Sequence, residues 1–494
     1  MEDKAAKNHQ VKVNLPGGIV SVGDLSVILE ILENAGIEHL RFGTRQQLYF
    51  SASPMQLEDV EHGFLISDTD FETDMDQFPN IVSSYVAEDL FNSSNWLREG
   101  VYKDILDTFN SSPQLKINII DDSQALIPFF SGNLNFISSD IGNYWHLYIR
   151  FPKTNTIHYW SSLVCSEDIA ELTEAIENIV FQHKDLYYDQ PDIDGHQLEK
   201  TVRANVNFLF QTPSALLKLP DFQLPYYEGF NKYNEKYWLG IYRRNELFTV
   251  AFLKDLCEIC RKTRIGQFYT TTWKSLIVKG VEPADRKLWN AALDKNRINV
   301  RHASNELNWQ TEDLCEEGLV LKQELIRLFN ELDLRTFKLC FAIKINPKSG
   351  LFGSVIIRKQ SQPEDAEPRY DLLHTVDFNP NAKHYQKFME TVGRAELPMA
   401  VVQLCEHYYK LKTVEAGDQT DNFYEFNSSP EPEPTFVHQC LHCLSIYDEA
   451  WGEEEQGIAP GTLFSALPES YRCPMCEADQ SQFTPVNKEN LNTF

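Results

Sequence analysis

The residues best suited to chemistry in this sequence are four cysteines near its carboxyl end. They form two CxxC pairs, Cys440 with Cys443 and Cys473 with Cys476, and 29 residues lie between the inner members. A CxxC knuckle turns tightly, so that both sulfurs point to one side. Two facing knuckles make a tetrahedral cage of four thiolates, which suits iron or zinc. The metal keeps such thiolates ionised by lowering their pKa, and we therefore predict one metal ion at these cysteines.

The segment between and beyond the knuckles carries further motifs. They are Tyr447-Asp448, the string GIAPGT at 457–462, Phe464, Leu467-Pro468, Tyr471, Pro474-Met475 and Phe483. With these motifs, residues 436–487 resemble rubredoxin, a small one-iron electron carrier. The resemblance implies that the four cysteines hold iron and that the aromatic residues form a core small enough to need the metal as a staple. Zinc remains the alternative, because the cage itself does not decide which ion the cell supplies.

Two positions depart from the rubredoxin pattern. Members of that family usually carry Gly after the second cysteine of each knuckle, whereas this chain has Leu444 and Glu477. Little side chain is tolerated there, because backbone amides of the loop bond to sulfur. The resemblance therefore implies a strained loop or a shifted potential at these positions, with all four ligands kept.

The first 410 residues contain a degenerate internal repeat. Residues 18–50 and 240–278 both run from Gly-Ile through a polar stretch and an amphipathic helix into a predicted strand. These strands are Leu40–Phe50 and Phe268–Val278, and the first helix shows apolar residues at i, i+3, i+4 and i+7. Further helices are predicted over Gly100–Phe109, Glu167–Phe181, Leu319–Leu332, His384–Thr391 and Pro398–Leu411, with strands over Gln114–Ile120, Tyr144–Phe151, Phe337–Ile345 and Gly353–Arg358. This order indicates an α+β fold.

This duplicated arrangement resembles the sirohaem-dependent nitrite and sulfite reductases over roughly residues 10–410. The resemblance rests on NLPGGIVSVGDL (14–25), LRFGTRQQLYF (40–50), NIV (80–82), LPYYEGFNKYNEKYWLGI (224–241) and FKLCFAIKIN (337–346). It implies two ferredoxin-like half-domains and two larger α/β domains, followed by a small metal-knuckle domain. The expected divisions are 1–75 (half-domain 1), 76–190 (α/β domain 1), 191–300 (connecting segment and half-domain 2), 301–411 (α/β domain 2), 412–435 (an acidic linker containing prolines) and 436–487 (the rubredoxin-like domain).

The cofactor ligands of that reductase family are missing from this chain. The family holds sirohaem and a coupled four-iron cluster through the cysteine pairs C-x5-C and C-x3-C. Ser304 and Gln310 fall on the first pair, and no cysteine occurs near 347–353, where the second pair is expected. Without those thiolates there is no cluster and no bridge to a haem iron. We therefore expect neither sirohaem nor a 4Fe-4S cluster.

The anion-binding basic residues of the reductases are partly kept. Arg45 and Lys116 match two of them, whereas Pro79 and Gln114 stand at two others. Arg45 and Lys116 are therefore candidate cofactor-binding residues in the remnant of an anion or haem cleft. Arg45 could equally pin the half-domain interface, since a guanidinium stays charged in either setting.

Charge restricts the possible partners. The chain has 72 Asp and Glu against 45 Lys and Arg, a formal net charge of −27. This excess argues against nucleic-acid binding and against docking on anionic membranes. Residues 411–494 alone hold 15 acidic and 3 basic residues, a net of −12. That surface is either ordinary solvated surface or a docking face for a redox partner with a basic patch.

Other residues have simpler interpretations. The amino terminus shows no apolar signal segment and no run of about 18 apolar residues occurs, so we expect a cytoplasmic protein without membrane insertion. Cys257 and Cys260 lie on an apolar helix stripe and are predicted to be core thiols. His146 and His158 are predicted to be structural histidines with satisfied hydrogen bonds.

Two functions remain open from the sequence. The first is one-electron transfer by the rubredoxin-type centre, with the reductase-like body as a docking scaffold for partners such as nitrate or nitrite reductase components. The second is a non-redox interaction or regulatory scaffold with structural zinc in the four-cysteine site. Both are favoured over an autonomous sirohaem reductase, because the cluster ligands are missing.

Overall fold

The structure is a computed structural model that describes residues 8–487, apart from 95, 209, 221, 301–304, 347–348, 364–365, 424–435, 444, 454–455 and 469. It divides into two compact units, Met1–Tyr409 and Lys410–Phe494. The helices are α1 (Val22–Asn34), α2 (Pro54–Ile66), α3 (Glu99–Asp107), α4 (Ile169–Gln182), α5 (Lys184–Tyr187), α6 (Gly195–Asn205), α7 (Val250–Thr263), α8 (Arg286–Lys295), α9 (Glu316–Glu331) and α10 (Leu397–Phe423).

The strands of the first unit belong to four sheets. In chain order they are β1 (His9–Val13), β2 (Ile19–Ser21), β3 (His39–Phe42), β4 (Leu48–Ala52), β5 (Glu72–Thr73), β6 (Val82–Ser83), β7 (Ile117–Ile120), β8 (Leu134–Ser138), β9 (Tyr144–Arg150), β10 (Ile157–Tyr159), β11 (Val164–Cys165), β12 (Gly229–Tyr233), β13 (Lys236–Ile241), β14 (Phe248–Thr249), β15 (Gln267–Thr270), β16 (Leu276–Val281), β17 (Trp309–Thr311), β18 (Phe341–Lys344), β19 (Val355–Lys359), β20 (Arg369–Thr375) and β21 (Tyr385–Gly393). The predicted α+β class is confirmed.

The two repeats exchange strands. One antiparallel sheet has the order β14-β3-β4-β1-β5 and the other the order β12-β13-β16-β15-β2. Phe248 of the second repeat pairs with Leu40 of the first, and Val20 of the first pairs with Phe268 of the second. Helices α1 and α7 contact each other across this junction. Each half therefore completes the sheet of the other, and the two share one apolar core.

The predicted single strands at 40–50 and 268–278 are wrong, because each is a hairpin. Strand β3 pairs antiparallel with β4, and β15 pairs antiparallel with β16. Gln46 and Lys274 occupy matching places in the two turns and both have left-handed φ values, 66° and 56°. One residue in this region helps a short polar segment to reverse the chain. The matching turns preserve the duplication that the sequence indicates.

The other two sheets of the first unit share one topology. The sheet β10-β9-β8-β7-β6 and the sheet β17-β18-β19-β20-β21 each combine parallel and antiparallel pairs. The helix predicted over His384–Thr391 is wrong, because β21 occupies this region and pairs with β20. The segment contains good helix formers, but tertiary pairing routinely overrides such local preference.

The segment predicted as a linker, 412–435, begins as helix. Helix α10 continues to Phe423, and residues 424–435 lie outside the described part of the chain. Residues 412–423 contain Glu and Ala but no Pro, so their polar composition is compatible with helix. Among the helices of the described residues, none is both long and apolar enough to cross a membrane.

The second unit contains a three-stranded sheet with the order β23-β22-β24. These strands are β22 (Phe436–Cys440), β23 (Ile446–Tyr447) and β24 (Phe483–Asn487). Its small core consists of Tyr447, Ile458, Leu467 and Tyr471, with Phe464 and Phe483 packed against it. The aromatic core predicted from the sequence is therefore confirmed.

Candidate metal centre and basic cleft

The four cysteines of the second unit converge on one point. Their sulfurs all lie within 4.8 Å of one another, with 3.6 Å between the sulfurs of Cys440 and Cys476 and 3.3 Å between those of Cys443 and Cys473. Sulfurs bound to a tetrahedral ion at about 2.3 Å are separated by about 3.8 Å. The cage therefore fits one iron or zinc ion after shifts of a few tenths of an ångström.

Hydrogen bonds stabilise negative charge on two of these sulfurs, those of Cys443 and Cys473. The Ser445 Oγ lies 2.9 Å from Cys473 Sγ. Burial raises the pKa of the Cys473 thiol, but Ser445 and the backbone N–H groups of Met475 and Cys476 outweigh it and lower the pKa to about 6. The Ser445 hydroxyl and backbone N–H likewise lower the pKa of Cys443. These bonds favour the thiolate form that a metal requires at Cys443 and Cys473. At Cys476 the Ala478 N–H lowers the pKa, but burial and the neighbouring sulfurs outweigh it and raise the pKa to about 12.

One departure from the rubredoxin pattern is visible in the backbone. Glu477 has a φ of 60°, which a residue with a Cβ adopts at a cost and glycine adopts freely. Its N–H donates to the carbonyl of Cys473 at 2.9 Å. Of the two positions where strain was expected, Glu477 therefore shows it in the backbone. The other, Leu444, lies outside the described residues.

The metal edge of this unit is open to solvent and partly apolar. Cys443 and Cys476 are exposed, whereas Cys440 and Cys473 are buried. Leu441 and Met475, each inside a knuckle, are 60% and 76% exposed. The two exposed cysteines therefore lie next to exposed apolar side chains.

The remaining predictions on single residues have mixed outcomes. Cys257 and Cys260 are buried in the core of the first unit, as predicted. His146 lies 3.4 Å from the Tyr159 hydroxyl, and His158 bonds to a carboxylate described below. Gln310, which the reductase resemblance places on the first cysteine pair of that family, is buried and donates to the carbonyl of Thr272 at 3.2 Å. Ser304 and residues 347–348 lie outside the described residues.

Arg45 points into the first unit. Its guanidinium donates two hydrogen bonds to the carbonyl of Asn80, at 3.1 and 2.8 Å. It also donates to the carbonyl of Ile117 at 2.8 Å and to Oδ1 of Asn118 at 3.2 Å. Burial lowers its pKa to about 10. This geometry joins the turn after β3 to strand β7 and its neighbours. These hydrogen bonds link the first half-domain to residues 80–118 and not to the second half-domain, so they are not the half-domain pinning that the sequence left open.

Lys116 lines a basic cleft, and it also lines a neighbouring cavity together with Arg45. The cleft is a cavity of about 540 Å³ whose charged lining residues are the cations Lys116, Arg150, Lys153 and Lys344 and one carboxylate, Asp76. Burial first, and the charge of Arg45 next, lower the pKa of Lys116 to about 8. Burial and neighbouring cations also lower the pKa of Lys344 to about 8. Burial lowers the pKa of Lys383 as well, and its charged neighbours are the cations Arg150 and Lys344.

Sequence reasoning missed Arg150, Lys344 and Lys383. They come from β9, from β18 and from the segment before β21, and no short motif connects them. Only the packing of the two α/β sheets brings these cations together. In a chain of net charge −27, such a concentration of positive charge favours an anionic ligand.

Comparison with known proteins agrees with both resemblances. The rubredoxin family model matches residues 437–483, and the model for the nitrite/sulfite reductase ferredoxin-like half domain matches residues 2–62. The probable rubredoxin HupI of Bradyrhizobium diazoefficiens is 46% identical over 48 residues, which cover 10% of this chain and 70% of that protein. The chain belongs to the rubredoxin family.

Other similarities set the extent of this relationship. The high molecular weight rubredoxin of Moorella thermoacetica is 36% identical over 119 residues, 23% of this chain, and the chain spans about half of that relative, 49%. The solved structure of Mycobacterium tuberculosis NirA matches with a TM-score of 0.59 at 13% identity, covering 86% of this chain and 82% of NirA. This rubredoxin-family chain therefore shares its larger fold with NirA.

Proposed function

We propose that this chain is a one-electron transfer protein that holds a single iron at Cys440, Cys443, Cys473 and Cys476. The rubredoxin domain and the reductase-like fold support an electron-transfer role. The observation that carries the proposal is the convergence of four sulfurs within 4.8 Å, inside a segment of the rubredoxin family. An iron held there supplies a one-electron change of oxidation state.

The residues around the cage support this role in two ways. Hydrogen bonds from Ser445 and from the loop amides stabilise negative charge on the sulfurs of Cys443 and Cys473, and such bonds help to set the potential of thiolate-bound iron. The exposed Leu441 and Met475 offer a partner an apolar contact at the metal edge. The acidic Glu477 and Asp479 beside them would attract a basic patch on that partner.

The reductase-like body serves, in this proposal, as a docking scaffold. We divide it into half-domain 1 (1–75), α/β domain 1 (76–190), half-domain 2 with its connecting segment (191–300) and α/β domain 2 (301–411). A cytoplasmic location and partners from nitrate, nitrite or sulfite assimilation belong to the same proposal. The alternative is a non-redox scaffold with zinc in the four-cysteine site.

Metal analysis with visible absorption on the full chain, produced with ample iron, tests this function. We expect one iron per chain and a red oxidised form. Replacement of Cys443 by Ser should bleach the colour and unfold the second unit, because a core of about 50 residues is marginal without its metal. Cys165→Ser changes a half-buried cysteine of the first unit and should leave the colour unchanged. Stoichiometric zinc without iron would instead establish the scaffold alternative.

We also propose that the cleft beside Lys116 binds an anion without sirohaem or a 4Fe-4S cluster. The support is the group of cations at one cavity, to which Arg45 contributes by positioning strand β7. Calorimetric titration with nitrite should show binding that Lys116→Met weakens and that Lys262→Met, a change of an exposed lysine on α7, leaves unchanged. Acid-labile sulfide or a sirohaem absorption band in the purified chain would contradict the proposal.

A further inference from the structure

Two histidines and a glutamate meet on the surface of the first unit, outside both sites described above. His158 belongs to β10, and His196 and Glu199 belong to α6. One ligand atom from each of these residues lies within 4.8 Å of the others. His158 Nε2 is 3.1 Å from Glu199 Oε2, and the rings of His158 and His196 meet edge to face at 4.8 Å.

The start of α6 is built to bring these groups together. Asp194 caps the helix, since its Oδ1 accepts hydrogen bonds from the N–H groups of His196 and Gln197 at 3.0 and 3.1 Å. Positions 196 and 199 are i and i+3, so their side chains share one helix face. A Cβ at Gly195 would lie 2.2 Å from Cγ of His158. The absence of a side chain there lets the imidazole of His158 lie directly against the helix.

The carboxylate of Glu199 is held in place and ionised. Its Oε1 accepts from Arg203 Nε at 2.9 Å and from the hydroxyl of Ser161. Oε2 accepts from the Ser161 N–H at 3.3 Å and faces His158. Burial alone would raise the pKa of Glu199, but the bonds from His158, Ser161 and Arg203 outweigh it and hold the pKa at about 2.

We propose that His158, His196 and Glu199 form a binding site for a zinc ion. Two imidazoles and one carboxylate are the ligand set of open zinc sites, in which water completes the coordination. Ligand atoms at about 2.0–2.1 Å from a tetrahedral ion are separated by about 3.3 Å, close to the 3.1 Å between His158 and Glu199. His196 is exposed, so its ring is free to turn toward the other two ligand atoms, which lie within 4.8 Å.

A structural ion pair between His158 and Glu199 would explain those two residues but not His196. Among the described residues, the aromatic neighbour of the His196 ring is the ring of His158. A role as the third metal ligand would explain why His196 lies on the same face of α6 as Glu199. Substitution of His196 therefore distinguishes a zinc site from a simple ion pair between His158 and Glu199.

Calorimetric titration of the iron-loaded full chain with zinc chloride tests the site. The visible absorption is followed at the same time, so that any displacement of iron is detected. We expect one zinc to bind while the colour stays unchanged. Loss of a residue that only supports a ligand weakens metal binding about 10–100-fold, and we expect His196→Ala to weaken it by more than that. His183→Ala removes an exposed histidine from the end of α4 and should leave the affinity unchanged.

Two results would overturn the proposal. One is that no zinc binds while the absorption of the iron centre is intact, and the other is that His196→Ala binds zinc as tightly as the unmodified chain. Because His196 is exposed, its substitution should not unfold the protein, and far-ultraviolet circular dichroism checks this. His158→Asn, which leaves a polar group beside Glu199, should lose zinc binding in the same way.

Discussion

Replacing Glu477 with glycine should stabilise the metal-binding unit. Glu477 is exposed and has a φ of 60°. A left-handed residue with a Cβ costs about 1–2 kcal/mol, whereas glycine adopts this conformation freely but loses about 0.5–1 kcal/mol more through entropy on folding. The difference of the mid-values is a net gain of about 0.75 kcal/mol. At ~4–8 °C per kcal/mol for a small domain, the Tm of this unit should rise by about 3–6 °C.

The matched control is Glu477→Ala. It removes the same charge but keeps a Cβ in the left-handed region, so it should bring no comparable gain. Thermal loss of the visible absorption of the iron-loaded chain reports on this unit specifically. Equal midpoints for the glycine and alanine variants, or a lower midpoint for glycine, would refute the assignment of strain to Glu477.

Three further results are expected. Gly195→Ala should destabilise the first unit by about 1–3 kcal/mol in urea unfolding, because the added Cβ would lie 2.2 Å from His158; an unchanged midpoint would show that the helix shifts freely. Electron transfer to a partner recovered under reducing conditions should slow as salt rises, and Glu477→Gln with Asp479→Asn should reduce that salt dependence. Nitrite affinity should fall as pH rises through about 8, where the Lys116 and Lys344 ammonium groups lose their protons, and Lys116→Met should make that profile shallower in calorimetry.

The metal centre was predictable because its geometry is local. Each CxxC knuckle brings two sulfurs together within four residues, and the aromatic motifs between the knuckles form a core around Tyr447 and Tyr471. Only the approach of the two loops, which brings the four sulfurs together, depends on the tertiary structure. The strain at Glu477 was likewise expected from the resemblance to rubredoxin, and the left-handed backbone at this residue agrees with it.

Long-range pairing decided what the sequence could not. The strand exchange between the repeats depends on residues more than 200 positions apart, and β21 is a strand because β20 supplies its hydrogen bonds. Arg45 was found by motif, but its inward orientation depends on carbonyls of Asn80 and Ile117.

The histidine–glutamate cluster and the basic cleft of the first unit likewise depend partly on the sequence and partly on the tertiary structure. The amino-acid sequence fixes which side chains can carry charge or bind a metal, and the local i, i+3 spacing places His196 beside Glu199. The approach of His158 requires β10 to pack against α6 at Gly195, and the basic cleft requires Lys116 and Lys344 to come together from separate sheets. Neighbouring residues in the sequence determine local turns and helix faces. Contacts between distant residues form only when the buried surfaces of all the elements pack together, so the sequence pattern alone does not reveal them.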